Sequence, residues 1–168
     1  APLLFNNGLL YIGLSSVEEA LSGQPGFVPT FQGSVMALDA NTGKMVWQRT
    51  LVDPPANGVS VWSQMALDPA MNALFFATGN NYVGSPSPMS DAVVAVNAQT
   101  GAILWAKQVL NNDLWVPNHP LGPDWDFSGG PQLFTGTVNG QTRQLVGAGA
   151  KSGIYWAFDR QTGQIVWA

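Results

Sequence analysis

The chain has 168 residues, enough for one ordinary domain core, and 19 Gly, 12 Pro, 7 Trp and 8 Phe with only 10% charged residues point to β structure. Its net charge of -4 argues against nucleic acid and against an anionic membrane surface as partners. The absence of Cys excludes disulfides, thiolate metal sites and thiol nucleophiles, and no stretch has the length and apolar character of a membrane-spanning helix.

Taken in order, the chain divides into three units of four short strands each, bounded by Gly, Pro, Asn and Ser. The first unit predicts strands over 3–5, 9–13, 35–39 and 45–49, with a Gly/Pro/Ser segment from Ser15 to Gly33 bulging out between the second and third. The second predicts strands over 61–66, 73–78, 92–97 and 103–108, and the third over 132–135, 144–147, 154–159 and 165–167. The chain opens inside an apolar run and stops one residue after Trp167, so it reads as a piece whose end sheets are expected to leave unpaired edges.

One stretch closes every unit. Ala37-Leu38-Asp39-Ala40-Asn41-Thr42-Gly43-Lys44-Met45-Val46-Trp47 returns as Ala95 to Trp105 and again as Ala157 to Trp167, with Ala, Asp or Asn, Thr-Gly and Trp at fixed offsets. The tryptophans lie 58 and 62 residues apart, which marks an array with loop insertions. Each copy is a β-hairpin: an apolar run ends at Asp or Asn, a Thr-Gly turn uses the freedom of Gly at positive φ, and a second apolar run ends at Trp. A large indole recurring once per unit suits the docking of one unit on the next. Four-stranded antiparallel sheets at this interval predict an all-β fold, a partial β-propeller of about three blades over residues 1–50, 51–109 and 110–168.

Because the strands of a blade alternate in direction, the connections between blades and those between second and third strands emerge on one rim. That rim collects the residues able to do chemistry. Asp126, flanked by Trp125 and Phe127, suits a general base, a cation ligand or both, and equally a turn. Asn80 follows Gly79 at a strand end and fits either a turn or a close backbone approach. Glu18 and Glu19 are adjacent acids on a loop, and Lys151 lies in a glycine-flanked turn; solvated positions would explain all three. Trp62 suits the core or a stacking platform. His119, the single histidine, lies in the long 110–130 connection with no assigned role.

The Ala-x-Asp-x-x-Thr-Gly-x-x-x-Trp repeat resembles the tryptophan-docking motif of quinoprotein dehydrogenases, whose propellers carry pyrroloquinoline quinone. Gly122 to Phe127, reading Gly-Pro-Asp-Trp-Asp-Phe, together with Gly147 to Gly153, is most similar to the polyvinyl-alcohol dehydrogenase branch. The resemblance spans essentially the whole chain and implies about three blades of a larger, eight-bladed ring that the remaining blades complete. It assigns Trp62 to stacking against the quinone, Lys151 to the quinone oxygens, and Asp126 to catalysis beside the cation. It makes Glu18 or Glu19, with Asn80 and Asp126, the ligands of Ca2+.

The implied activity is oxidation of a secondary alcohol, small or polymeric, to a ketone, with electrons passed to a cytochrome c-type acceptor and a periplasmic or secreted address. A Cys-x-x-Cys-His haem motif is absent, so the acceptor is expected elsewhere. The rival reading is a cofactor-free propeller that shares the repeat and serves as an interaction scaffold or ligand-binding module. Such a protein has no need of Trp62, Asn80, Asp126 and Lys151 together.

Overall fold

The computed structural model describes residues 3–117 and 122–168, so His119 lies outside the described residues. The first sheet is built from β1 (Leu4–Asn6), β2 (Leu9–Gly13), β3 (Ser34–Asp39) and β4 (Met45–Thr50), hydrogen-bonded in chain order. A short helix, α1 (Glu18–Leu21), interrupts the segment between β2 and β3. After β4 comes β5 (Asn57–Gly58), then β6 (Ala66–Asp68), β7 (Ala73–Ala77), β8 (Asn81–Val83), β9 (Ala92–Asn97) and β10 (Ile103–Gln108). Of these, β6, β7, β9 and β10 form the second four-stranded sheet, while β5 and β8 pair with each other. The third sheet takes β11 (Gln132–Val138), β12 (Gln141–Gly149), β13 (Tyr155–Asp159) and β14 (Ile165–Trp167) in order. All ladders are antiparallel.

Two features depart from the strand reading of the sequence. The first strand of the second unit is not 61–66: it begins at Ala66, because residues 57–58 pair with β8 and Val59 and Val61 are held by Asn80 O and Leu14 O instead. The third unit's outer pair is longer than expected, running to Val138 and back from Gln141, since Asn139 and Gly140 at positive φ make a tight two-residue turn.

The central sheet shows why the strands carry such dense apolar runs. Both β7 and β9 are buried on two faces, so successive residues point to opposite cores. Leu74, Phe76, Ala92, Val94 and Val96 join Tyr11, Val35 and Trp47 in one cluster, while Phe75, Ala77, Val93 and Ala95 join Val146, Ala148 and Phe158 in the other. A register slip by one residue would exchange the two sets.

The repeated hairpins are closed the same way each time. Asp39, Asn97 and Asp159 each accept, on one side-chain oxygen, the two backbone N–H groups and the Thr hydroxyl that follow, at 2.8–3.1 Å. The terminal indoles then join sheet to sheet. Trp47 donates Nε1–H to Ala98 O at 3.0 Å, and Trp105 donates Nε1–H to Arg160 O at 3.1 Å, both acceptors lying one residue after the turn Asn or Asp. Arg160 also pairs with Asp68 of the second sheet at 2.9 Å, an ion pair little exposed on either side. These links fix the relative orientation of the loops that leave the three sheets.

Candidate active site

Five of those loops meet. Glu19 sits on α1, Trp62 lies between β5 and β6, Asn80 follows β7, Asp126 precedes β11, and Lys151 occupies the turn between β12 and β13. The turn is pinned to the 124–127 segment by its own backbone: Lys151 N–H donates to Asp126 O at 2.9 Å, and Phe127 bridges Ala150. Gly79 lets two of the loops close on it. A methyl group there would lie 3.3 Å from both Asp126 Oδ2 and Trp62 Nε1, tighter than ordinary contact, so a side chain at 79 would press Trp62 and Asp126 back by a few tenths of an ångström.

The charged groups form a compact cluster. Lys151 Nζ lies 2.7 Å from Asp124 Oδ1 and 2.6 Å from Asp126 Oδ1; the second contact is an ion pair outside hydrogen-bond alignment. Asn80 donates its amide N–H groups to Glu19 Oε1 at 3.2 Å and to Asp124 Oδ1 at 3.1 Å. Its Oδ1 is buried without a partner, an acceptor left free for something the protein itself does not supply. The Lys151 ammonium is 5.7 Å from the centroid of Trp62 and 5.6 Å from that of Trp115, within cation–π range of both.

Burial and charge pull these groups in different directions. Asp126 is 1% exposed, and its loss of hydration raises its pKa to about 7 against the opposing pull of Lys151. Asp124 is also disfavoured by burial, but the hydrogen bonds from Lys151 and Asn80 outweigh that and hold its carboxyl below the ordinary value. For Lys151, burial works against the charged form, and the two aspartates overcome it and raise its pKa. One acid poised near neutrality beside one firmly ionised acid is an arrangement suited to proton transfer at a charged site.

Two cavities flank the cluster and share Ser16, Glu19 and Lys151. One, of about 260 Å³, is bounded by Ser60 and the half-exposed face of Trp62. The other, of about 330 Å³, is bounded by Trp115, Pro117, Val17 and Ala20 and is more apolar.

Glu18 is elsewhere. Its carboxylate accepts the backbone N–H groups of Thr30 and Phe31 at 2.7 and 2.9 Å and the Thr30 hydroxyl, which ties down the loop before β3. Its neighbour Glu19 is the acid that reaches Asn80. Asp124 was given no role by the sequence reading, yet it touches Asn80 and Lys151. The available signal was its spacing: in extended chain, residues two apart share a face, so Asp124 and Asp126 point the same way.

Among the described residues no three acidic or histidine side chains gather closely enough to hold a metal ion by themselves, and the partnerless Asn80 Oδ1 is the observation that fits a hard cation such as Ca2+, with Glu19, Asp124 and Asp126 as neighbouring oxygen donors. The Trp62 face, with the Lys151 ammonium over the ring, suits a flat anionic ring system.

Comparison with known proteins bears on the family and the fold. Residues 53–168 match the family described as PQQ, the glucose/ethanol/alcohol dehydrogenase β-propeller domain. The polyvinylalcohol dehydrogenase of Sphingopyxis sp. (strain 113P3) is 31% identical over 91% of the chain, and that of a Pseudomonas species is 31% identical over 97%. The chain spans 27% and 29% of those two proteins, less than a third of their length. The solved quinohemoprotein alcohol dehydrogenase ADHIIG of Pseudomonas putida HK5 superposes with a TM-score of 0.79 over 98% of the chain and 26% of its own, at 24% identity, a likeness of fold. Arrayed sheets, indole docking and matching sequence together place the chain in the PQQ β-propeller family of quinoprotein alcohol dehydrogenases.

Proposed function

We propose that the chain forms the catalytic quarter of a dehydrogenase that oxidises a secondary alcohol, small or polymeric, to a ketone with pyrroloquinoline quinone and Ca2+. The single observation that carries this reading is the meeting of Trp62, Asn80, Asp126 and Lys151, from four separate loops, in one cluster beside a cavity that Trp62 and Lys151 line. In the same reading the three four-stranded sheets are consecutive blades over 1–50, 51–109 and 110–168, and the remaining blades complete the ring.

The bound quinone with its cation supplies the electron-accepting chemistry. Each residue then has a task. Trp62 presents its exposed face as the stacking surface, 37% accessible in the chain alone. Glu19, Asn80 Oδ1 and Asp126 would hold Ca2+; Glu19 and Asp124 each accept an N–H of the Asn80 amide, which sets the direction of its Oδ1. Glu18 is reserved for the 30–31 loop and acts only by holding α1 in place.

Asp126 is the general base. A carboxylate lifted by burial to about 7 in the metal-free chain is at least half ionised at neutral pH and basic enough to take the hydroxyl proton of an alcohol as its carbinol carbon is oxidised. Lys151 keeps that carboxylate in place through 2.6 Å contact and offers its remaining N–H donors to negative charge developing at the ring edge. Trp115 and Pro117 line the more apolar cavity on the opposite side of Lys151, an open hollow that takes the alkyl part of the alcohol.

Electrons leave to a cytochrome c-type acceptor, and a periplasmic or secreted address goes with such a partner. No helix among the described residues is long and apolar enough to cross a membrane. The test is reconstitution of the full-length protein with pyrroloquinoline quinone and Ca2+, followed by dye reduction with a secondary alcohol. Turnover that needs both additions is expected; dye reduction indifferent to either one would sink the reading.

A further inference from the structure

The largest cavity among those described is not at the charged cluster. It is a cleft of about 530 Å³ bounded by Gln24, Pro25, Tyr82, Val83, Leu114 and Val116, with an apolar interior. Residues 114–117 form a strap outside any strand or helix, held at Trp115 N–H by Asn81 O at 3.1 Å, and their side chains alternate between two spaces. Trp115 and Pro117 face the cavity beside Lys151, whereas Leu114 and Val116 face the cleft. On the other wall, α1 and the turn after it do the same: Val17 and Ala20 line the first cavity, and Ser22 to Pro25 line the cleft. One strap and one short helix therefore serve both spaces.

Tyr82 connects them further. Its ring borders the cleft, and its hydroxyl is 2.9 Å from Ser60 Oγ, a residue that lines the Trp62 cavity. Ser60 also accepts the N–H of Gly79 on its carbonyl at 2.8 Å. Whatever presses on Tyr82 in the cleft is one hydrogen bond from the wall of the reacting site.

We propose that the cleft is an accessory binding site for the aliphatic chain of an extended alcohol whose carbinol reacts on the other side of the strap. This rests on the alcohol-oxidising reading above. The occupant follows from the lining: an apolar interior takes methylenes, Gln24 and Ser22 at one end can meet a further hydroxyl, and the lining presents no cation to an anionic ligand. A molecule short enough to fit the 330 Å³ cavity gains nothing from it, so the cleft selects for length.

The probes are decan-2-ol and hexan-2-ol, titrated into the protein without quinone or Ca2+ and followed by tryptophan fluorescence. Each buried methylene contributes a factor of about four in affinity, so the longer alcohol should bind much more tightly. Leu114→Asp places a charge in the cleft, and Val83→Trp fills it from a partly exposed position. Both variants should weaken decan-2-ol by about tenfold or more, with hexan-2-ol, thermal stability and quinone binding unchanged. Equal affinity for the two alcohols, or decan-2-ol binding that neither variant alters, overturns the cleft assignment. In the loaded full-length protein, turnover without chain-length preference also counts against the cleft alone. Chain-length-dependent binding with no turnover overturns the dehydrogenase reading and, with it, the identity of the occupant as substrate.

Discussion

Lys151 meets Asp126 twice, once through its backbone N–H to the aspartate carbonyl at 2.9 Å and once through its ammonium at 2.6 Å from Oδ1. The base and its neighbouring cation are therefore set by the same strand-to-turn pairing, so neither can move without the other. Lys151→Met should leave the 150–151 turn intact, since the backbone bond survives, while the carboxylate loses its opposing charge. Asp126 would then be pushed upward, and the rising limb of the pH–rate profile should move to higher pH by at least one unit, roughly a tenfold loss of rate at pH values below the limb. An unmoved profile would separate Lys151 from the ionisation of Asp126.

For the unaltered protein the position of that limb depends on the cation. Burial raises the Asp126 pKa to about 7 in the metal-free chain, whereas Ca2+ held by the same carboxylate favours its charged form. A base works only when ionised, so kcat/KM of the Ca2+-loaded protein should climb with pH along a limb below pH 7 and level off above it. A limb above pH 7 would show that Asp126 is not the group whose ionisation controls the reaction.

Trp62→Ala should weaken quinone retention while leaving the fold in place, because the indole is 37% exposed and belongs to neither core cluster. Loss of one stacking face is worth roughly 1–3 kcal/mol by analogy with base–aromatic stacking, a drop in affinity of about tenfold to a hundredfold. Equilibrium dialysis against quinone checks it, with the thermal midpoint as the control for folding.

Glu18 and Glu19 make a paired test. Glu19→Gln should reduce Ca2+ affinity measurably by isothermal titration, whereas Glu18→Gln should leave it nearly intact and instead raise proteolysis at the 30–31 loop that its carboxylate anchors. The reverse pattern would exchange their roles.

Asp91 supplies a prediction about stability. It is fully buried, neither side-chain oxygen has a hydrogen-bond partner, and burial raises its pKa to about 8. The folded state thus holds a proton that the unfolded state releases near 4. Its contribution is fully present below pH 4 and is lost as pH rises through about 8. Asp91→Asn keeps the shape without the charge and should remove that slope, with a gain of roughly 1–3 kcal/mol at pH 8. Chemical denaturation at pH 5 and pH 8 measures both.

The three repeats made the architecture legible because each hairpin is local: Asp39, Asn97 and Asp159 sit two residues from the groups they bind, and the indole follows at a fixed offset. Convergence on one rim was legible too, since strand alternation dictates which connections share a side. What the sequence did not reveal depended on contacts made between distant segments. Residues 61–65 have the composition of a strand, but Val59 and Val61 are held by Asn80 and Leu14, more than twenty positions away. The choice between Glu18 and Glu19 turns on one helical step, about 100° on α1, and only the position of the 30–31 loop decides it. Asp124 acquires its neighbours Asn80 and Lys151 from the β7–β8 and β12–β13 connections, which no local pattern encodes.

The account stands most directly on Asp126→Asn in the full-length protein reconstituted with pyrroloquinoline quinone and Ca2+. An amide cannot take the hydroxyl proton, so turnover of a secondary alcohol should fall by about a hundredfold or more while the quinone remains bound. Turnover in that variant within about twofold of the unaltered protein, at the same quinone occupancy, would contradict it.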